Sequence, residues 1–286
     1  MKKRLSQSVK KMNENFETFL LKEIEKYEDN TIVEAMKYCM EGGKRFRPRL
    51  IFSIIEGNGI EEEKAYPAAA AVEFIQTYSL IHDDLPAMDN DDFRRGKPSC
   101  HKKFGEDVAI LTGDALLTHA FSCLSDNVSD FQVTIRQISD LARFSGLEGM
   151  IKGQLLDIKA HELNPDVFTI QDNKTSGLFK YCCLSAMHLL NIDNREYFIE
   201  LGSKIGIIFQ HQDDLFDVIK SEAEMGKSLS DDKNDKLTAL TGSSVEELEK
   251  KIDSLFIELD EYLKDAPFNS EGLKKLLYSM KTRRIF

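Results

Sequence analysis

Apolar residues recur along this chain at steps of three and four. Leu5, Val9, Met12, Phe16, Phe19, Leu20, Ile24 and Tyr27 form one such stripe. Leu201, Ile205, Ile208, Leu215 and Ile219 form a second, with Gln212 on its line, and Val245, Leu248, Ile252, Leu255, Leu259 and Tyr262 form a third. That period is one face of an α-helix. No run alternates as a strand does, and no strand pair joined by an Asn-Gly turn is signalled. Prolines at 48, 67, 86, 98, 165 and 267 leave 99–164 and 166–266 clear for long helices. No composition shift, linker or solenoid repeat breaks the chain. The pattern predicts one all-α domain over residues 1–286. The polar stretch from Lys220 to Lys236 predicts a loop, and loops of that length are often functional.

Composition narrows the class. With 42% hydrophobic and 30% charged residues, 286 residues support a globular core. The balance of 38 basic against 49 acidic residues gives a net charge of −11. That argues against a general nucleic-acid or anionic-membrane surface. No contiguous apolar run approaches the ~18–20 residues of a membrane span, and the basic N-terminus lacks the apolar stretch of a signal peptide. No stable membrane insertion is expected. Cys39, Cys100, Cys123, Cys182 and Cys183 are odd in number and irregular in spacing. They read as thiols of a reducing compartment, the cytoplasm. Scattered His residues without an HExxH predict no zinc site.

Two aspartate clusters carry the candidate chemistry. The first, HDDLPAMD, holds Asp83, Asp84 and Asp89; the second, QDDLFD, holds Asp213, Asp214 and Asp217. On a helix Asp213 and Asp217 share a face, with Asp214 about 100° round. Like charges at that spacing repel, so the helix either uses them to hold a hard cation or presents a solvated acidic face. Gly202, Gly206 and Gln210 lie on the same strip, where small residues are expected to leave room for a ligand. Asp83 and Asp89 would stand about 240° apart on an ideal helix. Pro86 favours a kink or helix end between them. These three carboxylates converge only if the backbone leaves the helix; otherwise they form an acidic terminal loop.

Cations gather in matching spots. Gly42-Gly43 precede Lys44, Arg45, Arg47 and Arg49; Arg94 and Arg95 follow the first aspartates; Lys174 and Thr175 sit in NKTSG; Lys227 and Lys236 follow the second aspartates. Focused basic spots on an acidic chain suggest a small multiply charged anion, and diphosphate fits. Magnesium takes one or two carboxylates and fills its shell from phosphate oxygens and water, while arginine forks and lysine charges take the remaining oxygens.

GGKRFRP, DDLPAMDNDDFRRG, GQLLD, KTSG and FQHQDDLFD resemble, in order and rough spacing, the motifs of the trans-isoprenyl diphosphate synthases, the polyprenyl synthetase family. The likeness covers roughly residues 30–240. It is strongest to the bacterial short-chain type that makes farnesyl diphosphate, with its two extra residues at Pro86 and its neighbours. The resemblance implies a helical bundle around a deep central cavity and a homodimer. It implies magnesium, three ions per site, on Asp83, Asp84, Asp89, Asp213, Asp214 and Asp217. It implies that Arg94, Lys174, Thr175, Gln210, Lys227 and Lys236 bind the allylic diphosphate. Lys44, Arg47, Gln76 and Arg95 would bind isopentenyl diphosphate, with Gln76 standing where bacterial members often have His. Asp83, Asp84, Lys174, Lys227 and Asp213 would be catalytic, and Gln154 and Asp157 would line the cavity. Tyr78 and Ser79 would set product length, a bulky ring there acting as a floor. A geranylgeranyl synthase of the same fold is the alternative. A class I terpene cyclase fits less well, since its second metal motif is usually of NDxxSxxxE type.

Overall fold

The computed structural model describes residues 14–128, 130–225 and 244–282, and for 217–225 the backbone alone. The described chain is helical: α1 over 14–24, α2 Thr31–Met40, α3 Phe46–Ile55, α4 Tyr66–Asp83, α5 Cys100–Phe104, α6 Glu106–Asn127 and α7 Phe131–Ser145. There follow α8 Met150–Ile158, α9 Ala160–Leu163, α10 Val167–Lys174, α11 Ser176–Leu189, α12 Arg195–Met225, α13 Val245–Tyr262 and α14 Glu271–Thr282. One small ribbon interrupts them, β1 (Phe93–Arg94) antiparallel to β2 (Lys97–Pro98). Sequence patterning did not signal it, because each strand is two residues long.

Local chemistry starts the helices. Asn30 caps α2, its Oδ1 accepting from the N–H groups of Ile32 and Val33 at 2.9 and 3.1 Å. Asp166 caps α10 through Thr169 N–H at 2.8 Å. Ser244 and Glu247 form a reciprocal capping box on α13. Pro48 and Pro67 each fall in the first turn of their helix, where a missing N–H does no harm.

The described residues form two compact units, one from 14–49 with 61–138, the other from 50–60 with 139–282. In the first, α4 packs on α6, and α2 and α5 also pack on α6. Helix α4 is buried almost all round, from Ala68 through Ile75. Helix α6 is long and apolar enough to cross a membrane by length and composition, with a mean hydropathy of 1.4. Ala109, Leu116, Ala120 and Leu124 on it are fully buried, as in the core helix of a bundle. In the second unit α11 packs against α12, α10 against α8, and α13 against α12. Leu201, Ile205, Ile208, Gln212 and Leu215 of the expected stripe are all buried.

Three expectations change. The α1 stripe buries Phe16, Leu20 and Ile24, but Tyr27 lies past the helix end and is exposed; Leu5, Val9 and Met12 lie outside the described residues. The loop expected over Lys220 to Lys236 does not start at Lys220, since α12 runs on to Met225; residues 226–236 lie outside the described residues. Gly202 and Gly206 leave no room for a ligand. A Cβ at Gly202 would stand 2.5 Å from Lys180 Cα, and one at Gly206 2.6 Å from Ser176 Cα. These glycines let the backbones of α11 and α12 touch.

Candidate active site

Helix α4 ends at Asp83, just before the turn that contains Pro86. The chain then folds back, and the Asp89 N–H donates to the Asp83 carbonyl at 2.8 Å. The two residues thus meet across a closed turn despite their helical mismatch. Asp84, 2% exposed, caps the helix C-terminus. Arg94 reaches it from β1: Nε lies 3.0 Å from Oδ1 and 3.3 Å from Oδ2, and Nη2 also binds Oδ1. The same Nη2 donates to Asp91 Oδ2 at 3.0 Å. Burial pushes the Asp84 carboxyl above the usual range, although Arg94 pulls it back. Arg94 is aimed by the turn that joins the ribbon, where Arg95 (φ 54°) and Gly96 (φ 74°) are both left-handed, as in a tight hairpin turn.

The glycine-rich cationic segment sorts its charges. Gly42 has φ 74°, a conformation that suits glycine. A Cβ on Gly43 would meet Arg45 Nη1 at 2.3 Å, so the missing side chain lets the Arg45 guanidinium through. Arg45 is buried and committed. It donates to Glu17 at 2.7 and 3.0 Å, to Glu73 at 2.8 Å and to the Met40 carbonyl at 2.7 Å. Lys44 is exposed and Arg47 half-buried. Arg95 Nη1 donates to the carbonyls of Cys39 and Glu41 at 3.2 Å each, and burial holds its pKa down. Asp84, Arg94 and Arg95 line one cleft with Thr77, Cys39 and Cys100. Of the expected isopentenyl-side residues, Lys44, Arg47, Gln76 and Arg95 all belong to this unit, with Gln76 half-buried on α4.

The second unit assembles the other motifs. Lys174 Nζ donates to Asp157 Oδ2 at 2.5 Å, joining KTSG to GQLLD. Gly153 makes this approach feasible: a Cβ there would lie 2.1 Å from Lys174 N. Thr175 Oγ1 donates to Gln210 Oε1 at 2.5 Å, and Gln210 Nε2 donates to Asp214 Oδ1 at 2.8 Å. The other Asp214 oxygen accepts from Gln171 Nε2 at 3.4 Å. Asp214 is therefore buried and held by two amides, while Asp213 beside it is half-exposed. Gln154 Oε1 is buried with no hydrogen-bond partner among the described residues.

Tyr78 is buried, 6% exposed, and Ser79 Oγ turns back to the Gln76 carbonyl at 3.0 Å. The Asp217 side chain, Lys227 and Lys236 lie outside the described residues. Among the described residues no group of three or more His, Cys, Asp or Glu side chains surrounds one point. Sequence reasoning missed Gln171 and the Glu17–Arg45–Glu73 cluster. Gln171 had a usable signal, since it stands one helical turn before Lys174 and Thr175. The Arg45 cluster had none, because each glutamate is 28 residues away from the arginine.

An all-helical chain with these paired acidic and cationic motifs belongs to the polyprenyl synthetase family, whose family model matches residues 29–279. The farnesyl diphosphate synthase of Bacillus subtilis (strain 168) is 38% identical over 264 residues, covering 88% of this chain and 87% of that protein. An apo FPP/GFPP synthase from Zymomonas mobilis superposes with a TM-score of 0.82 at 31% identity, covering 99% of each chain. A geranyltransferase from Helicobacter pylori, solved in complex with magnesium and isoprenyl diphosphate, gives 0.80 at 29% identity over 94% of this chain and 95% of that one.

Proposed function

We propose that this chain is a magnesium-dependent prenyltransferase working as one domain. It condenses isopentenyl diphosphate with dimethylallyl and then geranyl diphosphate, giving (2E,6E)-farnesyl diphosphate. The observation that carries this reading is the end of α4, where Arg94 holds the Asp84 carboxylate beside a turn that returns the Asp89 backbone to Asp83. The donor set fits magnesium. It is all oxygen, the donor type that magnesium takes. Asp83, Asp84, Asp89, Asp213, Asp214 and Asp217 are the residues that would hold three ions. Bound magnesium neutralises diphosphate oxygens and makes diphosphate a better leaving group.

The chain's own groups do the rest. Arg94, Lys174, Thr175, Gln210, Lys227 and Lys236 hold the allylic diphosphate and stabilise the charge it gains as the C–O bond breaks. Lys44, Arg47, Gln76 and Arg95 hold the second diphosphate, which points the isopentenyl double bond at the allylic cation. The double bond supplies the electron pair of the new C–C bond. The proton then lost passes to the departed diphosphate, so no protein base is needed. Apolar walls exclude water that would trap the cation as an alcohol. The working protein is read as a cytoplasmic homodimer.

A longer product is the second reading, favoured by the name of the Zymomonas neighbour. The test incubates the protein with dimethylallyl and isopentenyl diphosphates and magnesium, then separates the dephosphorylated products by chromatography. Farnesol is expected as the main alcohol. A C20 or C25 main product selects the second reading, and no condensation product at all overturns both.

A further inference from the structure

Tyr78 has a feature that matters for a residue expected to act as a floor. Its ring is buried, yet its hydroxyl oxygen has no hydrogen-bond partner among the described residues. Burial accordingly pushes the phenol up to about 12, with Asp83 adding to the effect. No hydrogen bond from its hydroxyl fixes the ring, so packing must.

His82 contributes to that packing. It stands four residues after Tyr78, on the same face of α4, and meets the tyrosine ring edge-on at 5.7 Å between centroids and 78° between planes. The imidazole is itself fixed from α6. His82 Nε2 lies 3.1 Å from the Ile110 carbonyl, a bond that requires the Nε2–H tautomer. The ring also fills the space a side chain at position 113 would take. A Cβ on Gly113 would lie 2.1 Å from His82 Nε2, 2.5 Å from Cδ2 and 2.8 Å from Cε1. The imidazole is thus wedged between a notch in α6 and the edge of Tyr78.

We propose that His82 is a positioning residue for product length: lodged in the Gly113 notch, it braces the Tyr78 ring against the growing chain. This rests on the prenyltransferase reading and on Tyr78 as its floor. Without the brace, the tyrosine ring can swing into the space left by the imidazole, and a longer chain can pass it.

The experiment compares C20 to C15 product ratios for the wild type, Tyr78→Ala, His82→Ala, His82→Asn, His82→Phe and the double variant Tyr78→Ala/His82→Ala. Purified full-length proteins are assayed with magnesium and both substrates after a thermal melt confirms folding. His82→Ala should raise the ratio about tenfold, the scale of a small change in an apolar pocket. His82→Asn, which keeps a donor for Ile110 but no ring, should do the same and serves if the alanine variant does not fold. His82→Phe restores a ring edge and should return the ratio toward wild type. In the Tyr78→Ala background, His82→Ala should add nothing, because the braced ring is gone. A wild-type ratio in folded, active His82→Ala or His82→Asn overturns the inference, and so does an additive double variant. If Tyr78→Ala itself leaves the ratio unchanged, the floor reading fails and takes the brace with it, while the prenyltransferase reading stands on turnover.

Discussion

Arg45 sits in the middle of the cationic motif yet should behave unlike its neighbours. The side chain is 7% exposed and Glu73 opposite it is 6% exposed, so Arg45→Met strands a buried carboxylate. Removing one partner of a buried pair costs about 3–5 kcal/mol, out of a total stability of roughly 5–15 kcal/mol. Glu17 adds little to that figure, because its side chain is 40% exposed and returns to water. At about 2–4 °C per kcal/mol for a large domain, the melting temperature should fall by roughly 6–20 °C. Arg45→Met/Glu73→Met should recover most of the loss, since replacing both partners of a buried pair by apolar groups is often near neutral. Differential scanning fluorimetry and urea titration read the stability. Assays below the lowered melting temperature should leave the KM for isopentenyl diphosphate near wild type. A loss under about 1 kcal/mol, or a double variant no better than the single, would refute the buried-pair argument. A raised KM with unchanged stability would return Arg45 to the substrate.

Chelation by EDTA should abolish turnover and added magnesium restore it, and Asp83→Ala and Asp213→Ala should each lower kcat about a hundredfold or more, as steady-state assays will read. Lys44→Ala and Arg47→Ala should raise KM for isopentenyl diphosphate more than for the allylic substrate, whereas Lys174→Ala should act on the allylic side; equal effects on both substrates would void the division. Burial alone would raise the Asp140 carboxyl, but His188 at 2.8 Å and Arg195 at 3.1 and 2.5 Å outweigh it and hold it below the usual range. Its stabilisation is therefore fully present above the unfolded value of about 3.9 and is lost as pH falls through the lowered folded value. Melting curves of Asp140→Asn should start lower at neutral pH and decline less steeply toward acid, and parallel curves would contradict the linkage.

Helix identity and the order of motifs were legible because a 3.6-residue period and short charged strings survive any tertiary arrangement. Pro86 likewise announced the end of α4, since a missing N–H is a local fact. What sequence could not tell is which partner a residue meets. Gly202 and Gly206 on a polar strip look alike whether they admit a ligand or another backbone, and only the approach of Lys180 and Ser176 decides. Four cations in GGKRFRPR look alike until Glu17 and Glu73 claim one of them. Asp213 and Asp214 differ by a rotation, and the amides of Gln210 and Gln171 turn that rotation into different surroundings. The hairpin at 93–98 escaped because its turn places an arginine where glycine or asparagine is usual.

The backbone contact between α11 and α12 works as a joint without a gasket. With no side chain between Gly202 and the Lys180 backbone, and only the Ser176 hydroxymethyl group against Gly206, there is little that is compressible to take up movement. Thr175 and Gln210, just beyond the contact, are thereby kept in step along the two axes, and the 2.5 Å bond between them is a consequence of the joint as much as of their own chemistry. Even one methyl group at position 206 would act as a shim, shifting every group on α12 beyond it together.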